Sequence, residues 1–239
     1  MEGSIALVGS GEYLPAMAEF ELSLLRDGEK NNKRPIYIQI PTAAGRESRD
    51  RILYWEELGR KQAESIGVEQ IFLPIFDRDA ANNQEFVSQI RESALIYMSG
   101  GDPHYLTNTL RDTPVLDAIV ENWNSGGSLA GCSAGAMVMS SKIPNFRLSR
   151  STPTEGFNLL PNIRVIPHFN KFFKWIPDSA AKVLLDTPGD SVLLGIDEMT
   201  AFVRRTGEEL WRASGEARVH ILKGLPTQQL SNGESISIG

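Results

Sequence analysis

Gly131-Cys132-Ser133-Ala134-Gly135-Ala136 is the segment whose residue types and spacing best suit covalent chemistry. It fits G-x-S-x-G between an apolar run and the helical pattern AGAMVMSS. In that setting a tight strand-to-helix turn lifts a serine hydroxyl clear of a sheet edge. Small neighbours are needed because such a turn crowds the chain on both sides. The backbone N–H of Ala134 would then stand at a helix N-terminus, aimed where an oxyanion develops. Without chemistry, the same segment would be a Gly/Ser turn or an anion-binding turn. Cys132 lies one position before the apex, so it is expected to point into packing as a small buried side chain.

A serine hydroxyl needs a general base, and the chain has three histidines. His168 closes the apolar run Ile163-Arg164-Val165-Ile166-Pro167, at the C-terminal end of an expected parallel strand. Ligands bind at that sheet edge in open α/β folds, and the elbow belongs there too. His220 lies within the alternating Arg218-Val219-His220-Ile221-Leu222 and suits a strand face. His104 follows a Gly-Gly-Asp-Pro turn and would be loop-borne. His168 is therefore the best-placed base. The base in turn needs a carboxylate to orient it and to stabilise its cation. Gly195-Ile196-Asp197-Glu198 closes another apolar run, which makes Glu198 or Asp197 candidates, with Glu155 a third. Ser99-Gly100-Gly101-Asp102 ends a further run. Its paired glycines suit either a second oxyanion donor or a tight turn with positive φ.

The elements that must position these residues alternate along the chain. Short apolar runs at Ile5–Gly9, Pro35–Ile40, Gln70–Pro74, Ala94–Ser99, Ser128–Cys132, Ile163–Pro167 and Val192–Asp197 read as strands covered on both faces. Helical spacing of apolar residues marks Pro15–Arg26, Asp50–Ile66 and Pro114–Asn124. Such alternation predicts a single α/β domain over residues 1–239, a doubly wound, mostly parallel sheet with helices on both faces. Thr200–Arg205, Glu209–Ala213 and Ala217–Leu222 predict an antiparallel C-terminal extension. The polar tail from Gly224 onward is expected to be loose.

Composition narrows the chemistry further. The 239 residues carry 24 basic and 30 acidic side chains, a net charge of −6. That argues against sequence-independent binding to nucleic acid or to anionic membrane, since both require a basic footprint. One cysteine excludes an intrachain disulfide and any multi-cysteine metal site, and the scattered histidines make zinc unexpected. No run approaches a membrane span, and the start lacks the pattern of a signal peptide. The expectation is a cytoplasmic protein needing no metal or organic cofactor.

Together these pieces resemble the peptidase E and cyanophycinase family of serine peptidases, whose fold is similar to that of class I glutamine amidotransferases. The resemblance rests on an ordered series: Gly9-Ser10-Gly11-Glu12 after the first strand, Ile40-Pro41-Thr42-Ala43 after the second, and the Gly100-Gly101 turn. The elbow at Ser133 follows, then His168-Phe169, then Gly195-Ile196-Asp197-Glu198 before Thr200-Ala201. It spans residues 5 to about 222. It implies Ser133 as nucleophile, His168 as base and an acidic third member, carried across to Glu198; the residues themselves point to an oxyanion hole from the Ala134 N–H and an N–H of the Gly100-Gly101 turn, with Gly101 the expected donor. It also implies a small peptide or amide substrate, with hydrolysis at aspartyl bonds, and allows a homodimer. One departure concerns substrate. Where many relatives place closely spaced arginines, this chain has Asn170-Lys171-Phe172-Phe173-Lys174-Trp175, and lysine lacks the bidentate fork of arginine. Lys171, Lys174 and the atypical Asp102 are thus the expected substrate contacts. Two alternatives compete: an α/β-hydrolase-type esterase using Ser133, Asp197 and His220, and a non-catalytic binding module on the same scaffold.

Overall fold

The computed structural model describes residues 1–143, 154–171 and 191–239. Five strands form its parallel centre: β1 (Ile5–Val8), β2 (Arg34–Ile40), β3 (Glu69–Phe72), β4 (Ser93–Met98) and β5 (Ser128–Cys132). The helices between them are α1 (Ala18–Lys30), α2 (Arg49–Ser65), α3 (Gln84–Glu92), α4 (Pro103–Leu110) and α5 (Pro114–Asn124), and α6 (Ala134–Met137) follows β5. The remaining strands are β6 (Lys142–Ile143), β7 (Thr154–Glu155), β8 (Ile163–Ile166), β9 (Val192–Ile196), β10 (Thr200–Arg204), β11 (Leu210–Gly215), β12 (Val219–Lys223), β13 (Gln228–Leu230) and β14 (Ser235–Ser237). Helix α5 has the predicted bounds, with Pro114 at its first turn and Thr113 Oγ1 accepting from Leu116 N–H. Helices α3 and α4 are additions to the sequence-based expectation.

Strand alternation explains why helices cover both faces. Ile5, Leu7, Ile36, Ile38, Ile96, Met98 and Leu129 pack with Val87 and Ile90 of α3 and with Val115 and Ile119 of α5. Their neighbours Ala6, Val8, Tyr37, Leu95, Tyr97 and Ala130 face the other way, onto Phe20, Leu24 and Leu25 of α1 and Ala63 of α2. Each buried Ile or Leu contributes roughly 1.5–3 kcal/mol, and a one-residue slip in register would send each strand's two side-chain sets to the wrong helix layers, losing that packing on both faces.

The main sheet has the order β14-β11-β10-β1-β5-β4-β2-β3, parallel from β1 to β3 and antiparallel beyond β10. Strands β8 and β9 pair parallel in a second sheet of order β13-β12-β9-β8, with β12 and β13 antiparallel. The two sheets share one apolar core, since Val165, Leu194 and Ile196 join the cluster of Leu7 and Leu129. The tail corrects an expectation. Beyond Gly224 it supplies β13 and β14, with Leu230 only 5% exposed and Ile236 opposite Trp211. Single apolar residues in three-residue polar strands carry no readable period, which is why the sequence pattern missed them. Among the described residues, no helix is long and apolar enough to cross a membrane.

Candidate active site

The turn at the end of β5 is strained at its apex. Ser133 has φ 50° and ψ −107°, a region costing about 1–3 kcal/mol for a non-glycine residue. Neighbouring bonds hold it there: Ser133 N–H donates to Val8 O at 2.9 Å, and Met137 N–H donates to Ser133 O at 3.0 Å. The flanking glycines are required by close approach. A Cβ at Gly131 would run into the Gly135 carbonyl, and one at Gly135 into the Met98 carbonyl. Ala134 is the first residue of α6, so its N–H is one of the orphan donors at a helix start.

His168 follows β8 and Pro167, with φ 51°. Its N–H donates to Gly9 O at 3.3 Å, which brings the end of the second sheet onto the end of β1. Phe169 lies flat on Gly195, where any side chain would collide with the ring, and sits 4.6 Å from the His220 ring. The imidazole then spans the gap between two side chains. Its Nε2 is 3.1 Å from Ser133 Oγ, and its Nδ1 is 3.0 Å from Glu198 Oε1. An ionised carboxylate can only accept, so Nδ1 carries the proton and Nε2 offers its lone pair to the Ser133 O–H.

Glu198 is itself fixed from several directions. Lys171 Nζ lies 2.6 Å from its Oε2, and its backbone N–H donates to Asn170 Oδ1 at 3.3 Å. Partial burial pushes the Glu198 carboxyl upward, but the hydrogen bonds and charges of Lys171 and His168 outweigh that and hold it below its usual range. Its neighbour Met199 also has a positive φ, 53°, and donates its N–H to Ser10 O at 3.0 Å. This carboxylate–imidazole–hydroxyl chain is the arrangement in which a serine can be deprotonated as it attacks an electrophile.

Other residues singled out from the sequence take different places. Gly100 N–H donates to Glu12 Oε1 at 2.9 Å, which leaves Gly101, at φ 139°, as the glycine of that turn whose N–H is not engaged by Glu12. Asp102 caps α4 by accepting from His104 N–H and Tyr105 N–H, so its carboxylate serves the helix. Lys171, expected to face substrate, is committed to Glu198, and Lys174 lies outside the described residues. Asp197 accepts from His220 Nε2 at 3.1 Å and from Arg218 N–H at 3.2 Å, forming a His–Asp pair separate from Ser133. Glu155 is exposed and pairs with Arg111. His104 stands in α4 rather than a loop, with Nδ1 2.7 Å from Thr154 Oγ1. Cys132 is fully buried as expected. It is not merely apolar packing, however, because its Sγ donates to Glu12 Oε2 at 2.8 Å. Burial, and then the Glu12 carboxylate, push that thiol well above its usual range, against a thiolate role. Glu12 was not foreseen as a site residue. An acidic side chain within a glycine-rich turn at a strand's C-terminal end was the available signal.

The family model described as Peptidase family S51 matches residues 5–210. The chain is 65% identical to a peptidase from an acI-B1 Actinobacterium, whose crystal structure superposes with a TM-score of 0.97 over 100% of this chain and 98% of that one. It is 30% identical over 182 residues to a cyanophycinase of Nostoc sp., covering 70% of this chain but 57% of that protein's length. An uncharacterised peptidase of Listeria monocytogenes, Lmo0363, is 28% identical over 203 residues, covering 80% of this chain and 93% of that protein.

Proposed function

The chain belongs to peptidase family S51, and from that premise we propose that it is a serine hydrolase cleaving peptide or amide bonds in small substrates. The observation that carries this is the unbroken path from Glu198 Oε1 through His168 to Ser133 Oγ, with separations of 3.0 and 3.1 Å. Ser133 Oγ attacks the scissile carbonyl while His168 Nε2 takes its proton. Glu198 stabilises the imidazolium so formed and keeps it in orientation. The oxyanion is received by the N–H groups of Ala134 and Gly101, worth about 3–4 kcal/mol each when well aimed. Collapse expels the amine, which leaves with the proton from Nε2, and water then releases the acyl group by the same route in reverse.

Resemblance to cyanophycinases and peptidase E suggests aspartyl bonds as the first substrates to try. The commitment of Lys171 to Glu198 removes one candidate partner for a substrate carboxylate. Intact-mass analysis after treatment with a small fluorophosphonate tests the reading directly. One adduct is expected on the wild type and none on Ser133→Ala. A dipeptide panel of α-aspartyl, β-aspartyl and apolar first residues then sets specificity. Undiminished turnover in Ser133→Ala would end the proposal.

A further inference from the structure

Residues 8–12 touch every part of the site. Val8 O accepts from Ser133 N–H, Gly9 O from His168 N–H, and Ser10 O from Met199 N–H, beside Glu198. Glu12 extends this series with its side chain. Its Oε1 accepts the Gly100 N–H at 2.9 Å and its Oε2 accepts the Cys132 S–H at 2.8 Å. One carboxylate, 7% exposed, thereby ties the turn after β4 to the residue just before Ser133. The packing is close: a Cβ placed on Gly100 would lie 2.8 Å from Glu12 Oε1 and 3.4 Å from Ser133 Cβ. The adjacent Tyr13 adds a second tie, with its Oη 2.6 Å from Ser99 Oγ in the same turn.

We propose that Glu12 is a positioning residue, holding the Gly100-Gly101 turn against the elbow so that the Gly101 and Ala134 N–H groups keep one spacing for the oxyanion. This rests on the serine-hydrolase reading. Oxyanion donors stabilise developing charge only when they are already in place, within a few tenths of an ångström. A turn of two successive glycines is the backbone least able to hold such a position alone. A hydrogen bond to a carboxylate is roughly twice as strong as a neutral one, and here it acts on the Ser99–Gly100 peptide unit, one unit before the peptide that carries the Gly101 N–H. Glu12 does not touch the reacting atoms. It acts through Gly100, and its second oxygen is anchored on the strand that ends in the nucleophile.

The test compares full-length Glu12→Gln, Glu12→Asp and Glu12→Ala with the wild type. Two readouts are needed: kcat and KM on the best dipeptide, and the Gly100 amide by proton–nitrogen NMR and hydrogen exchange. Gln keeps an acceptor at the same reach, so kcat should stay within about threefold. Asp is one methylene short and Ala has no acceptor. Both should lower kcat by about 10–100-fold with KM within about twofold, a fraction of the loss on deleting a donor outright. In both, Gly100 should shift upfield and exchange at least about tenfold faster. Asp keeps the charge and guards against a folding defect in Ala. An unchanged Gly100 amide in the Asp and Ala variants overturns the proposal. So does a loosened Gly100 with kcat within threefold of wild type, or equal losses in Gln and Ala. If the wild type cleaves no dipeptide and takes no fluorophosphonate, the hydrolase reading fails separately, and Gly100 exchange still decides whether Glu12 holds the turn.

Discussion

Ser133, His168 and Met199 account for three of the seven described non-glycine residues with positive φ. Strain of this kind persists only where surrounding bonds over-determine it, and here those bonds come from Val8, Gly9 and Ser10. Two histidines have carboxylate partners, His168 with Glu198 and His220 with Asp197, but only His168 reaches Ser133. His168→Ala should therefore lower kcat/KM at least about 100-fold, whereas His220→Ala should cost less than about tenfold, through looser packing of Phe169. Steady-state kinetics on both variants separates the two. Lys171 helps hold the Glu198 carboxyl below its usual range. Lys171→Met keeps length but loses charge, so Glu198 will protonate at a higher pH and stop accepting from His168 Nδ1. The acid limb of the kcat/KM profile should accordingly move upward in pH relative to wild type.

At the level of elements, the site is assembled from turns at the C-terminal ends of β1, β4, β5, β8 and β9, with the β1–α1 turn in the middle. Helix α1, which leaves that turn, carries a buried acid. Glu21 is fully buried and its pKa is raised to about 8, chiefly by desolvation. Hydrogen bonds from Gln62, Tyr13 N–H and Tyr37 Oη pull it partly back, and the Glu12 charge raises it further. An unfolded glutamate ionises near pH 4.5 while the folded one resists until about pH 8. Stability should thus fall as pH rises through that window, with a limiting slope of about 1.4 kcal/mol per pH unit. Glu21→Gln mimics the protonated carboxyl and should flatten this slope, which urea unfolding at pH 5, 6.5 and 8 would measure. Equal slopes in the two proteins would contradict it.

For the molecule as a whole, two sheets share one core, and the C-terminal residues fasten both. Strand β13 pairs with β12 of the second sheet, and β14 pairs with β11 of the main one. Ile236 opposes Trp211, whose ring stacks on Phe202 at 5.2 Å. Deleting residues 225–239 removes both strands and the buried Leu230. At roughly 1.5–3 kcal/mol per buried aliphatic side chain, Tm should drop by roughly 5–15 °C. A melting curve unchanged by the deletion would show that these strands are dispensable.

The strand-to-helix turn at Ser133 and the sheet's parallel centre were legible in the sequence because their signals are local. G-x-S-x-G sits between a strand and a helix pattern, and buried strands read as continuous apolar runs. The short terminal strands were not legible, since three residues are too few to show a period. Neither were α3 and α4, whose short apolar patterns lay between stronger signals. The choice of Glu198 over Asp197 turned on resemblance, as adjacent acids at one strand end have the same local signature. Tertiary structure sends them to opposite partners, Glu198 to His168 and Asp197 to His220. Glu12 and Lys171 show the same limit: each takes its place by bonding groups about 90–120 or 27 residues away in sequence. Residue types and short spacings determined which chemistry this chain could carry. Only the folded arrangement, which joins turns remote in sequence, decided which carboxylate faces which donor.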